Sequence, residues 1–132
     1  MAMRRVLVSF SSFRAVNGPP IYQQIVDFVR RGCAAGTISD GDELPSRRVL
    51  SALLSINPNT VQKAFRLLED EGLIESRSGA KSYVRLHPAK AGALRAELLR
   101  DDVRSVTRTL KQLGIPREQA LHLIAEFWEE EP

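Results

Sequence analysis

The stretch NPNTVQKAFRLLEDE, residues 57–71, decides the fold. Asn57 offers a side-chain oxygen to a free amide at a helix start, and Pro58 loses nothing at the first helical position, where its N–H would be unpaired anyway. Behind them Val61, Ala64, Phe65 and Leu68 recur at i, i+3, i+4 and i+7, the spacing of one buried helical stripe. At about 100° per residue, Asn59, Lys63 and Arg66 lie nearly opposite that stripe, with Thr60 and Gln62 on its flanks. The exposed face therefore opens on donors, acceptors and a cation. Its acids, Glu69, Asp70 and Glu71, are held back to the far end.

Working outward, a three-residue break, SIN at 55–57, separates this helix from a shorter one upstream. Ser46 caps that helix, Arg47 and Arg48 open it, and it runs through Leu54 with Val49, Leu50, Leu53 and Leu54 expected inward. TISDGDELPS, residues 37–46, reads as a turn-rich connector. A first helix is expected over 20–35, where Ile21, Ile25, Phe28 and Val29 keep helical spacing and Gly36 ends the run. Residues 1–18 hold a short β-prone run at 6–10 and then a Ser-, Asn- and Gly-rich stretch, an arm or an edge strand. Downstream, Gly72 stops the central helix. LIESR at 73–77 and SYVRL at 82–86 then alternate as strands around the turn SGAK, which predicts a two-stranded hairpin.

The fold class expected is mainly α with a small β-hairpin. Three helices and a hairpin within residues 19–88 are the order of a winged helix-turn-helix, in which the third helix enters the DNA major groove with its first residues at the base edges. Asn59, Thr60, Gln62 and Lys63 suit that place as donors and acceptors, with Arg66 further along the same face. Arg47 and Arg48 on the second helix, and Arg77 and Lys81 beside the hairpin tip, add cations from separate segments. The charge follows the same division. The chain carries a net +3, with 12 Lys and Arg against 8 Asp and Glu in residues 1–88 and 7 against 8 in residues 89–132.

LPSRRVLSALLSINPNTVQKAFRLLEDEGLIESRSGAKSYV, residues 44–84, resembles the DNA-binding domain of the GntR family of bacterial transcription regulators. The shared pattern is Leu-Pro-Ser-x-Arg-x-Leu, then Thr-Val, an aromatic, Leu-Glu, Gly-Leu-Ile and a glycine-bearing wing. PIYQQIVDFV at 20–29 and the wording of the third helix are most similar to the YtrA-like subfamily, whose C-terminal region is two short helices. The resemblance implies DNA contacts at Arg48, at Asn57, Asn59, Thr60 and Gln62, and at the wing around Gly79, with Ser78 and Lys81 as neighbours. Repression by covering a promoter is expected, and the resemblance implies transporter or cell-envelope operons as the regulated class. Two positions depart from the pattern. Pro58 stands where many relatives have arginine, and Lys81 replaces the second glycine of the wing.

Residues 89–132 are expected to form a two-helix dimerisation region. Ala96, Leu99, Val103, Val106, Leu110 and Leu113 step by three and four along a long helix, a seam too short to hold a coiled coil alone. After Gly114 a second helix carries Ala120, Leu121, Leu123, Ile124, Phe127 and Trp128 over more than one face. One side is expected on its own long helix and the other on a second copy. The interface set is Leu99, Val103, Val106, Leu110, Leu121, Ile124, Phe127 and Trp128. A homodimer also suits a palindromic operator in double-stranded DNA.

The remaining features argue mostly by exclusion. No apolar run approaches the roughly 18 residues that cross a bilayer, and the N-terminus lacks a signal-peptide core, so a cytoplasmic protein without membrane contact is expected. Cys33, the single cysteine, is expected to pack as a small apolar side chain. His87 and His122 have no Cys, Asp or Glu at ligand spacing, so no metal site is expected. No phosphate loop, nucleophile elbow or His–acid pair is present, so neither catalytic residues nor a cofactor are expected. The two-helix region leaves little room for an effector cavity, but a small-molecule site between subunits or beside the DNA domain stays open, with Phe127 and Trp128 as lining. The rival function is a winged-helix module for protein or small-molecule binding without DNA.

Overall fold

The structure, a computed structural model, describes residues 6–77, 79 and 81–132. Helix boundaries fall where local chemistry places them. α1 (Ile21–Ala35) ends at Gly36, whose φ of +85° is the left-handed turn. α2 (Arg47–Leu54) starts at Ser46, whose Oγ accepts the Val49 N–H at 3.1 Å. α3 (Pro58–Glu71) starts at Asn57, whose Oδ1 accepts the Asn59 N–H at 2.8 Å. Gly72, at φ +80°, closes α3, and a side chain there would also bring its Cβ to 2.8 Å from Lys90 Nζ. Between α2 and α3 the chain turns through Ser55, a non-glycine residue at φ +55°. Ser51 Oγ donates to the Ile56 carbonyl at 2.6 Å and ties the turn back to α2.

The expected buried stripe of α3 is present: Val61, Ala64, Phe65 and Leu68 are fully buried. They pack with Ile25, Val29 and Cys33 of α1 and with Leu50 of α2 to form the core. On α2 the inward face differs from the expectation. Leu50 and Ser51 are buried and Leu54 is partly so, but Val49 and Leu53 are 55% and 61% exposed. Four apolar residues in one short helix do not mark a unique stripe, and Ser51 can go inward because the Ile56 carbonyl accepts its hydroxyl proton.

The hairpin gains a third strand. β1 (Glu43–Leu44) joins β2 (Ile74–Ser76) and β3 (Ser82–Val84) in the order β1-β3-β2, antiparallel throughout, with Glu75 and Glu43 both opposite Tyr83. β1 lies in the segment read as a turn-rich connector, because two residues are too few to show an alternation. The described part of the N-terminal arm docks beside it. The Glu43 N–H donates to the Val6 carbonyl and the Val8 N–H to the Glu43 carbonyl, both at 2.8 Å, in a parallel bridge. Phe10 and Phe13 are buried against Phe28, with ring centroids 5.0 and 5.6 Å away. The arm thus adds an aromatic cluster to the core as well as an edge.

The chain divides into two compact units, Met1–Arg95 and Ala96–Pro132, with the divide inside α4 (Pro88–Gln112). In the second unit Gly114 turns the chain at φ +74° and α5 (Arg117–Trp128) follows. No residue of α5 is buried, and Ala120 and Leu123 are only partly covered.

Cys33 packs as the sequence suggests, 2% exposed. Burial, then the nearby charges of Glu71 and Asp42, push its thiol up to about 11. The fold favours the protonated form. This contribution to stability is therefore complete below the thiol's ordinary pKa and is lost as pH rises from there through about 11. Since the thiolate is the nucleophile, iodoacetamide at about pH 8 should leave the native chain unmodified and label the urea-unfolded chain. Intact-mass measurement checks this, and rapid labelling of the native chain would contradict it.

Candidate nucleic-acid interface

The start of α3 holds no acid and is the positive end of the helix dipole, so a negative group is favoured there. Asn59, Lys63 and Arg66 are exposed and Thr60 and Gln62 partly so, all off the buried stripe. Asn57 is exposed too. Its Oδ1 is committed to the cap, so what it offers a partner is the carboxamide N–H pair.

Lys63 does not wave freely. Its Nζ sits 4.0 Å from the centre of the Tyr22 ring, which rises from the first turn of α1, and Gln23 Nε2 donates to the Tyr22 hydroxyl at 3.4 Å. Tyr22 is a residue that the sequence reading missed. Its only signal was its place in PIYQQI, and which helix it meets depends on how α1 crosses α3.

The two adjacent arginines of α2 part company. Arg48 is exposed. Arg47 is turned inward: its Nη2 donates to Glu69 Oε1 at 2.9 Å, and its guanidinium lies 5.0 Å from the Phe65 ring centre. Glu69 Oε1 also accepts from Ser76 Oγ at 2.8 Å, so one carboxylate ties α2, α3 and β2 together. Glu69→Ala leaves the largely buried Arg47 cation unpaired and is expected to destabilise the domain by about 2 kcal/mol, read as a lowered denaturation midpoint.

The same pattern silences other acids. Glu71 pairs with Arg30 at 3.1 Å and Glu75 with Arg85. Arg85, which directly follows β3, is thereby held by the carboxylate of β2. At the wing, the Arg77 guanidinium stacks 4.9 Å from the Tyr83 ring centre, the Arg77 N–H donates to the Lys81 carbonyl at 2.9 Å, and Gly79 takes φ +81°. Lys81 is exposed; Ser78 lies outside the described residues. Arg48, Lys63, Arg66, Arg77 and Lys81 are the exposed cations of α2, α3 and the wing that hold no ion pair among the described residues.

Among the described residues, no group of three or more His, Cys, Asp or Glu could hold a metal ion, and no helix is long and apolar enough to cross a membrane. Phe127 and Trp128 line an open surface recess with Leu123 and Ile124.

Comparison with known proteins follows the same outline. Residues 21–84 match the family described as bacterial regulatory proteins, gntR family. The HTH-type transcriptional repressor YtrA of Bacillus subtilis is 45% identical over 65 residues, spanning 49% of this chain and half of YtrA. The HTH-type transcriptional regulator YhcF of the same organism is 30% identical over 110 residues, spanning 83% of this chain and 91% of YhcF. A solved GntR family transcriptional regulator from Listeria monocytogenes superposes with a TM-score of 0.75 at 27% identity, covering 85% of this chain and 98% of that one. The match to YtrA agrees with the YtrA-like wording of residues 20–29 and of α3, and the Listeria fold with the winged helix-turn-helix. The chain belongs to the gntR family of bacterial regulatory proteins, a family of DNA-binding transcription regulators and not of enzymes.

Proposed function

We propose that the chain acts as a homodimer that lays α3 of each copy into the major groove of a palindromic operator and represses transcription by covering a promoter. The observation that carries this is the acid-free exposed face at the start of α3, where Asn59, Thr60, Gln62 and Lys63 can meet base edges and phosphates. Arg48 reaches phosphate from α2, Arg66 extends the α3 face, and Arg77, Gly79 and Lys81 bring the wing to the backbone, with Ser78 as a neighbour. Arg47 acts from behind, as the partner of Glu69.

The dimer reading rests on apolar surface left uncovered in the second unit. Leu99, Val103 and Val106 on α4 and Leu121, Ile124, Phe127 and Trp128 on α5 are each between 42% and 72% exposed, and Leu110 is half-covered. So much contiguous apolar side chain in water marks an interaction face. Repression is supported by the likeness to YtrA, itself named a repressor. A transporter or cell-envelope operon is the target class of the YtrA-like resemblance, and the cytoplasm is where such a protein meets DNA.

Selection from a random duplex pool is expected to return inverted half-sites one or more helical turns apart. Affinity for that duplex should fall with a log–log salt slope of about −5 or steeper, because each copy presents several cations that release counterions. A winged helix that serves only protein contacts would enrich no sequence.

A further inference from the structure

The chain's two tyrosines each lie against a cation of the proposed interface. Tyr83 meets the Arg77 guanidinium from the sheet and is itself buried, so it also serves the core. Tyr22 is different. It stands in the first turn of α1, half-buried, with its ring centre 4.0 Å from Lys63 Nζ on α3. That turn is held in place. Gln24 brackets the incoming arm, accepting the Val16 N–H at 2.9 Å and donating to the Val16 and Pro19 carbonyls at 2.9 and 2.8 Å. α1 then packs on α3 through Ile25 and Val29, both fully buried. Lys63 is exposed and has no carboxylate partner among the described residues, so the electron-rich face of the ring is the group that its charge meets.

We propose that Tyr22 is a positioning residue for DNA recognition, its ring holding the Lys63 ammonium in the place from which it meets a phosphate. This rests on the DNA reading above and adds to it a residue of α1, a helix whose buried side chains otherwise serve the core. A lysine ammonium carries several N–H donors, so a ring that covers one side of it leaves others for a phosphate oxygen. Lys63 therefore engages DNA without leaving the ring. A lysine side chain gives up much rotamer freedom when it is pinned, and here that ordering is largely complete before the duplex arrives. The ring contributes no contact of its own to the DNA. Its effect passes entirely through Lys63.

A double-mutant cycle on the full chain tests this, with affinity for the selected duplex read by fluorescence anisotropy. Tyr22→Leu keeps apolar bulk but removes the ring, and should bind about tenfold more weakly when both copies are counted. Tyr22→Phe keeps the ring and should bind within about twofold of the natural chain. In a Lys63→Ala background, Tyr22→Leu should change affinity by less than about twofold, because no ammonium is left to place. The free natural chain adds a readout that needs neither DNA nor a variant: the Lys63 side-chain protons nearest Nζ should resonate upfield, over the ring face. Equal losses from Tyr22→Leu with and without Lys63 would make Tyr22 merely structural. A Tyr22→Phe as weak as Tyr22→Leu would move the effect to the hydroxyl, and tighter binding by Tyr22→Leu would mean that Lys63 has to leave the ring. Each of these, or a natural chain without the upfield shift, overturns the proposal while leaving the DNA reading standing. A natural chain that shows the shift but binds no duplex would instead remove the DNA reading, and the proposal with it.

Discussion

Phe65→Ala is expected to cost the first unit about 3–5 kcal/mol, most of what a small domain has to lose. The ring is completely buried in the middle of the α3 stripe, between Val61 and Leu68. Its removal empties volume at the place where α3 meets α1 and α2, and dense packing leaves little scope for collapse. It also strips the aromatic face from under Arg47, whose guanidinium lies 5.0 Å away, and so loosens the link to Glu69 and the wing. Urea unfolding should show a much lower midpoint with little change of slope, and DNA binding should fail because α3 is no longer held. Phe65→Leu, which keeps most of the volume, should retain binding. A loss under about 1 kcal/mol for Phe65→Ala would mean that the core does not centre on this ring.

Removing the cations that face outward should have the opposite profile. Arg48→Ala/Lys63→Ala is expected to weaken operator binding by about 2–4 kcal/mol, roughly 30- to 1,000-fold, since each change occurs twice in a dimer. Both side chains are exposed and neither is in an ion pair among the described residues, so the melting temperature should move little. Lys63 should lose more than its charge alone suggests. The Tyr22 ring 4.0 Å beneath Nζ already restricts the side chain, so less conformational freedom is surrendered on binding. The salt slope should flatten in the double variant as fewer counterions are released. Titration of a labelled duplex by fluorescence anisotropy reads both quantities, and unchanged affinity would remove α2 and α3 from the contact surface.

Legibility in the sequence follows the range of the forces involved. Caps are local, so Ser46, Asn57, Gly36 and Gly72 marked the helix ends correctly. The α3 stripe was legible because polar residues separate its four apolar positions. The face of α2 was not, since Val49, Leu50, Leu53 and Leu54 offer two overlapping stripes and only packing against α3 selects Leu50. β1 escaped notice because a two-residue strand exists only through its partner β3.

At the site the limits are sharper. Arg47 and Arg48 are chemically identical neighbours, and only the direction each leaves the helix assigns one to Glu69 and the other to solvent. The Tyr22–Lys63 contact likewise belongs to a crossing between helices about forty residues apart in sequence, beyond any local pattern. The uncovered face of the second unit was readable in outline, because α5 carries more apolar residues than one neighbour can cover.

The most direct test of the central claim is a nitrogen–proton NMR correlation spectrum of the full chain, recorded with and without its selected duplex. The largest shifts are predicted at Asn59, Thr60, Gln62 and Lys63, with smaller ones at Arg48 and around Gly79 and Lys81, while Val29 and Cys33 in the core of α1 stay in place. Tight, saturable binding that leaves the α3 resonances unmoved and shifts another surface instead would contradict the account.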